Sequence, residues 1–89
     1  MRDQRLHVRV VTPEGMLWEG YASAVSSQNS EGNFDILPDH ANFITLIDRL
    51  PIKVIGAEPH IFQFEKSVVS ALNNVISIYG DITSATSGR

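Results

Sequence analysis

No cysteine occurs in the chain. That excludes a disulfide framework and a thiolate metal centre, and it fits a reducing compartment. No run of lysine or arginine occurs either, and the formal net charge is −3. The basic patch that neutralises phosphates is missing, so nucleic acid is not expected as a partner. No apolar stretch approaches the roughly 18–20 residues of a transmembrane helix, so direct membrane insertion is not expected and any membrane association would run through another subunit. The opening MRDQRLHVRV has no apolar core and no small-residue cleavage site, so no signal peptide is expected. Gly15, Gly20 and Gly32 are isolated and form no Gly-x-x-x-x-Gly-Lys cradle after a strand, which argues against a nucleotide cofactor. Charge is also scarce: 19% of residues are charged against 43% hydrophobic. That composition is globular rather than disordered, and it leaves few charges to cover the surface, as expected where a partner covers part of it.

What is present fits one small domain. A chain of 89 residues buries roughly 60–65% of its unfolded surface and sits toward the low end of the usual stability range of about 5–15 kcal/mol. Leu6, Val8 and Val10 alternate with His7 and Arg9, the pattern of a half-buried strand. Thr12-Pro13-Glu14-Gly15 ends it with turn residues. Residues 16–28 continue with aromatic, β-branched and small side chains, and Gly20 predicts a bulge or bend. A polar turn at Asn29 to Asn33 precedes a short strand, Phe34 to Leu37, stopped by Pro38.

Residues 39–50 fit two patterns equally. Phe43, Ile44, Ile47 and Leu50 make a helical stripe with Asp39 as N-cap, while Ile44, Thr45 and Ile47 are β-branched and favour a strand. Further strands are predicted over 51–56 and 61–65. Val68 to Leu72 and Val75 to Tyr79 flank Asn73-Asn74, a pair that tolerates the positive φ of a two-residue hairpin turn. The result is eight or nine short strands in an all-β sandwich or flattened barrel over residues 1–82, with a polar tail over 83–89. Trp18 fits either the core or an exposed apolar patch.

The densest chemistry lies in GNFDILPDHANFIT, residues 32–45, where Asp35, Asp39 and His40 fall within six positions. A metal-dependent hydrolase-like site would have to be built from these three, with Asp48, His7 and His60 as the remaining material. The spacing matches no His-Glu-x-x-His or carboxylate-rich calcium motif. On a strand, Asp35 points away from the side of Phe34 and Ile36, toward solvent, and Asp39 reads as a turn residue. Solvated turn carboxylates with a contact histidine at a loop tip explain the same residues, as would an unrelated sandwich interaction module.

LHVRVVTPEGMLWEGYASAV followed by SEGNFDILPDHANFIT resembles the N-terminal β-sandwich domain of the epsilon subunit of F-type ATP synthases. The matching residues are Thr12, Pro13, Glu14, Gly20, Gly32, Phe34, Ile36, Leu37, Pro38, His40, Ala41 and Thr45, and the likeness extends over residues 6–82. It implies a roughly ten-stranded sandwich with residues 42–48 as strand. It also implies a non-catalytic central-stalk subunit with no cofactor or metal. The partners implied are the gamma subunit and the ring of c subunits, on the cytoplasmic face of a bacterial plasma membrane. By similarity the ring-facing loops hold Glu31, Gly32, Asn33 and His40, and the gamma-facing surface involves Val10, Asn42, Ile44 and Thr45. Asp35, Lys66-Ser67 and Pro51 stand where the family usually has glycines. Most such subunits continue into a C-terminal helical hairpin that can inhibit ATP hydrolysis and in some binds ATP; with Arg89 the last residue, neither property is expected here.

Overall fold

The alternation of the first strand sets the architecture. Leu6, Val8 and Val10 are fully buried while His7, Arg9 and Val11 are only partly so. The computed structural model describes residues 5–81, so the tail expected over 83–89 lies outside the described residues. They form nine strands: β1 Leu6–Thr12, β2 Gly15–Ala22, β3 Ala24–Asn29, β4 Gly32–Ile36, β5 Phe43–Asp48, β6 Ile52–Ile55, β7 His60–Phe62, β8 Lys66–Leu72 and β9 Val75–Gly80. One sheet has the order β2-β1-β9-β8-β5 and the other β4-β3-β6-β7. All pairings are antiparallel except β1 with β9. The two sheets enclose one core, with Leu6, Val8, Val10, Val69, Ile76 and Ile78 from the first facing Val25, Ile36, Ile52 and Val54 from the second.

The sandwich expected from the sequence is present, and the ambiguous segment resolves as strand β5 after a loop over 37–42. Three boundaries differ. The break in the second long segment falls at Ser23, not Gly20. There the chain passes from one sheet to the other, and both the Ser23 amide and its hydroxyl donate to the Ile55 carbonyl (2.8 and 3.0 Å). Gly20 has another role: the Trp18 ring lies over it, so close that a Cβ at position 20 would stand 2.7 Å from the ring. The bulge is at Leu17, which is left over where Val10 pairs with Trp18 and Val11 with Met16. Strand β4 runs from Gly32 to Ile36 rather than 34–37. Strand β7 ends at Phe62 rather than 65, because the chain then crosses between sheets. Gln63 donates to the Arg49 carbonyl (2.7 Å) and the Glu65 amide to Asp81 (3.2 Å).

Trp18 closes the seam between the sheets. It packs against the core from β2, 4.8 Å from His60 and 6.2 Å from Phe62 between ring centroids. Phe64 continues the row and covers Gly80, whose added Cβ would stand 2.6 Å from its ring. Gly80→Ala is therefore expected to cost about 1–3 kcal/mol through overpacking, and less in a Phe64→Leu background. Urea denaturation at constant m-value reads both.

Candidate interaction surface

The 37–42 loop is built by turn chemistry. Leu37-Pro38-Asp39-His40 is closed by His40 N–H donating to the Leu37 carbonyl (3.1 Å), with proline in the second place and Asp39 at φ 66° in the third, a type II arrangement. The loop is then tied to the Asn73-Asn74 hairpin, whose φ values of 51° and 66° fit the two-residue turn expected there. The Asp39 amide donates to Asn74 Oδ1 (2.6 Å), Asn74 Nδ2 donates back to Asp39 Oδ1 (3.1 Å), and the Asn73 amide donates to Asn42 Oδ1 (2.9 Å).

This arrangement separates the three residues of the hydrolase-like reading. Asp35 accepts from Ser26 Oγ (2.5 Å), Asp39 belongs to the latch with Asn74, and His40 Nδ1 lies 2.8 Å from its neighbour's carbonyl at Ala41. Among the described residues no group of three or more histidines or carboxylates is placed to hold a metal ion. Glycine is also dispensable where the family usually has it. Asp35 stands beside Ser26 in the β3–β4 ladder, and Pro51 uses its carbonyl to accept from Ser27 Oγ (2.8 Å). Ser67 fits, buried, between Ile47 and Gly80.

The ring-facing candidates divide between two places. Glu31 and Gly32 lie at the β3–β4 turn, where the Glu31 amide donates to Asn29 Oδ1 (2.9 Å) and Gly32 has φ 120°. Asn33 pairs with Gln28. His40 lies in the loop past the other end of β4. Its ring touches Phe43 (5.3 Å), which meets Phe34 edge-on (5.8 Å), so an aromatic line joins the loop to the strand that carries Asn33. Of the gamma-facing candidates, Val10 needs a correction. Val10 is fully buried between the sheets and offers no surface. Thr45 is half-buried and accepts from Asn29 Nδ2 (3.0 Å), while Asn42 is exposed, with its Oδ1 taken by the Asn73 amide. Ile44 is open, at 68% exposure.

Ile44 belongs to a larger surface. The register of the five-stranded sheet aligns three rows on its outward face. One runs Tyr21, His7, Val75, Leu72 and another Met16, Val11, Tyr79, Val68, Leu46. Between them lie Glu19, Arg9, Ser77, Ser70 and Ile44. Among the described residues, seven of the eleven exposed large hydrophobic side chains, Met16, Tyr21, Ile44, Leu46, Leu72, Val75 and Tyr79, lie on this one face. A sheet with one solvated face should alternate apolar and polar, and exposed apolar residues gathered in rows on one face mark an interaction site. Sequence reasoning did not single out this surface. Its signal was the nearly unbroken apolar character of Val68 to Leu72 and Val75 to Tyr79, which belongs to strands covered on both sides.

The family model for the beta-sandwich domain of the ATP synthase delta/epsilon chain matches residues 5–84. Two solved structures share the fold. A chain of the Euglena gracilis mitochondrial ATP synthase (OSCP/F1/c-ring) superposes with a TM-score of 0.78 at 11% identity, over 88% of this chain and 51% of that one. A chain from the central stalk and c-ring of the Tetrahymena thermophila mitochondrial ATP synthase gives 0.71 at 15% identity, over 89% and 65%. The chain thus spans between half and two thirds of the length of these solved relatives.

Cutting the latch tests the loop's construction. Asn74→Gly keeps the positive φ and removes both side-chain bonds to Asp39. It is expected to lower stability by about 1 kcal/mol or less and to speed hydrogen exchange of the Asp39 amide.

Proposed function

The chain belongs to the family of ATP synthase delta/epsilon chain beta-sandwich domains, and on that premise we propose that it serves as a non-catalytic element of the central stalk of an F-type ATP synthase. In this role it links the gamma subunit to the ring of c subunits and helps couple ion flow to ATP synthesis. The observation that carries the proposal is the apolar outward face of the five-stranded sheet. A surface of this kind is unfavourable in water and is stabilised by a permanent neighbour.

The gamma subunit is assigned to that face, with Ile44, Leu46, Leu72 and Tyr79 as its exposed apolar contacts. Thr45 ties β5 to β3 through its bond to Asn29, and Asn42, just before β5, holds the Asn73 turn beside it. The c ring is assigned to the polar, exposed Glu31, Gly32 and Asn33 and to His40. No step of bond chemistry is required of the domain; its contribution is rigidity between two partners. It reaches the membrane through those partners, since no helix among the described residues is long and apolar enough to cross one. The finer expectation, the cytoplasmic face of a bacterial plasma membrane, stays a proposal beside the mitochondrial setting of the two solved relatives.

Calorimetry of the chain against purified gamma subunit tests the reading, with tight one-to-one binding expected. Leu46→Glu should weaken that binding at least about 30-fold, the loss of a central anchor, with stability changed by no more than about 0.5 kcal/mol. A folded domain that does not bind gamma contradicts the proposal. His40→Ala should leave the melting temperature unchanged, since the ring is exposed, and should weaken attachment to the c ring. A large loss of stability would instead make His40 a structural residue.

A further inference from the structure

The outward face of the five-stranded sheet carries one charge in its interior that nothing answers. Arg9 is half-buried, with His7 and Val11 flanking it along β1 and Ser77 beside it on β9. Its cross-strand neighbour Glu19 is turned away, its carboxylate 2.6 Å from His7 Nε2. The charges at the far edge of the face, Asp48 and Lys66, pair with each other at 3.7 Å. The Arg9 side chain has no ion pair or hydrogen bond among the described residues. A guanidinium in that position is tolerated while water reaches it, but covering the face with an apolar partner would strand it at a cost of several kcal/mol.

The shape of the face limits what can cover it. Ser77 and Ser70 are the small residues of the middle row, between Arg9 and Ile44 along it, and on their own strands they are flanked by apolar Val75 and Tyr79 and by Leu72 and Val68, the two ridges. Residues two before and two after on the same strands form those ridges, so they stand about 13 Å apart. An α-helix, about 10–12 Å across with its side chains, fits that width. Within the sheet the backbone groups of β1, β9 and β8 are already paired with neighbours on both sides, so the covering segment must satisfy its own backbone, as a helix does.

Resting on the stalk reading above, we infer that the partner segment on this face is an amphipathic helix that carries a carboxylate among apolar residues, with the carboxylate seated on Arg9 and the apolar side chains on the ridges. Arg9 then sets specificity and orientation, because a helix laid the other way or one without the acid leaves the guanidinium buried and unpaired.

The test is the affinity of the intact chain for purified gamma subunit, for wild type, Arg9→Gln, Arg9→Glu and Ser70→Trp, each first shown to be folded by denaturation. Arg9→Gln is expected to weaken binding at least tenfold and to remove most of its dependence on salt. Arg9→Glu should weaken it more than a hundredfold, and Ser70→Trp, which fills the space between the ridges, should do likewise. If both Arg9 variants bind as wild type does while Leu46→Glu still abolishes binding, the surface is right and the carboxylate-bearing helix is wrong. If wild type does not bind gamma, the stalk reading fails, and this inference fails with it.

Discussion

The structure depends on the register between its first strand and its last. β1 and β9 lie side by side, parallel, in the middle of the five-stranded sheet, and β2, β8 and β5 are positioned from them. Side chains on a strand alternate between faces, so a slip of β1 by one residue would send Val8 and Val10 into solvent and bring His7 and Arg9 into the core, and a slip of β9 would do the same with Ile76, Ile78 and Ser77. Six fully buried side chains, Leu6, Val8, Val10, Val69, Ile76 and Ile78, hold that register from the inner side. The same constraint fixes the outer side, because the apolar ridges and the row between them are the other half of one alternation.

That coupling explains why a domain of this size can present a hydrophobic exterior without losing its fold. The core is closed at the seams by separate devices. Trp18 packs at a tilt against His60 and Phe62 along one side, and Asn29 reaches Thr45 along another. The loop of Pro38 to Asn42 is held to the Asn73-Asn74 turn by three hydrogen bonds. At the other end, Arg49 meets Glu65 through both backbone and side chain (3.1 Å each). This hydrogen bond and the Glu65 charge raise the pKa of the exposed guanidinium. None of these closures uses Ile44, Leu46, Leu72 or Tyr79, which leaves that surface available to a partner.

Much of this was legible in the sequence, and the failures have physical causes. The alternation of Leu6 to Val10, the Asn73-Asn74 turn and the Pro38 stop were readable because each rests on local geometry. Residues 39–50 were not, since Phe43, Ile44 and Ile47 suit either period and only pairing with β8 decides between them. Gly20 was read as a bend because glycine has several uses in a strand, and its use here, making room for the Trp18 ring, is a contact made across space. Val10 was offered as a partner contact although its own alternation with Arg9 placed it inward. The outward surface went unread because its residues come from five strands, and only the register sets them side by side.

The central claim is that the outward face of the five-stranded sheet is the covered one. Hydroxyl-radical footprinting of the chain, free and assembled with its stalk partners, tests this directly. Protection of Met16, Tyr21, Leu72 and Tyr79, with Ile55 and Ile61 on the opposite sheet labelled as before, is the result predicted. Protection of Ile55 and Ile61 with the first four unchanged would contradict it and move the interface to the other side of the sandwich.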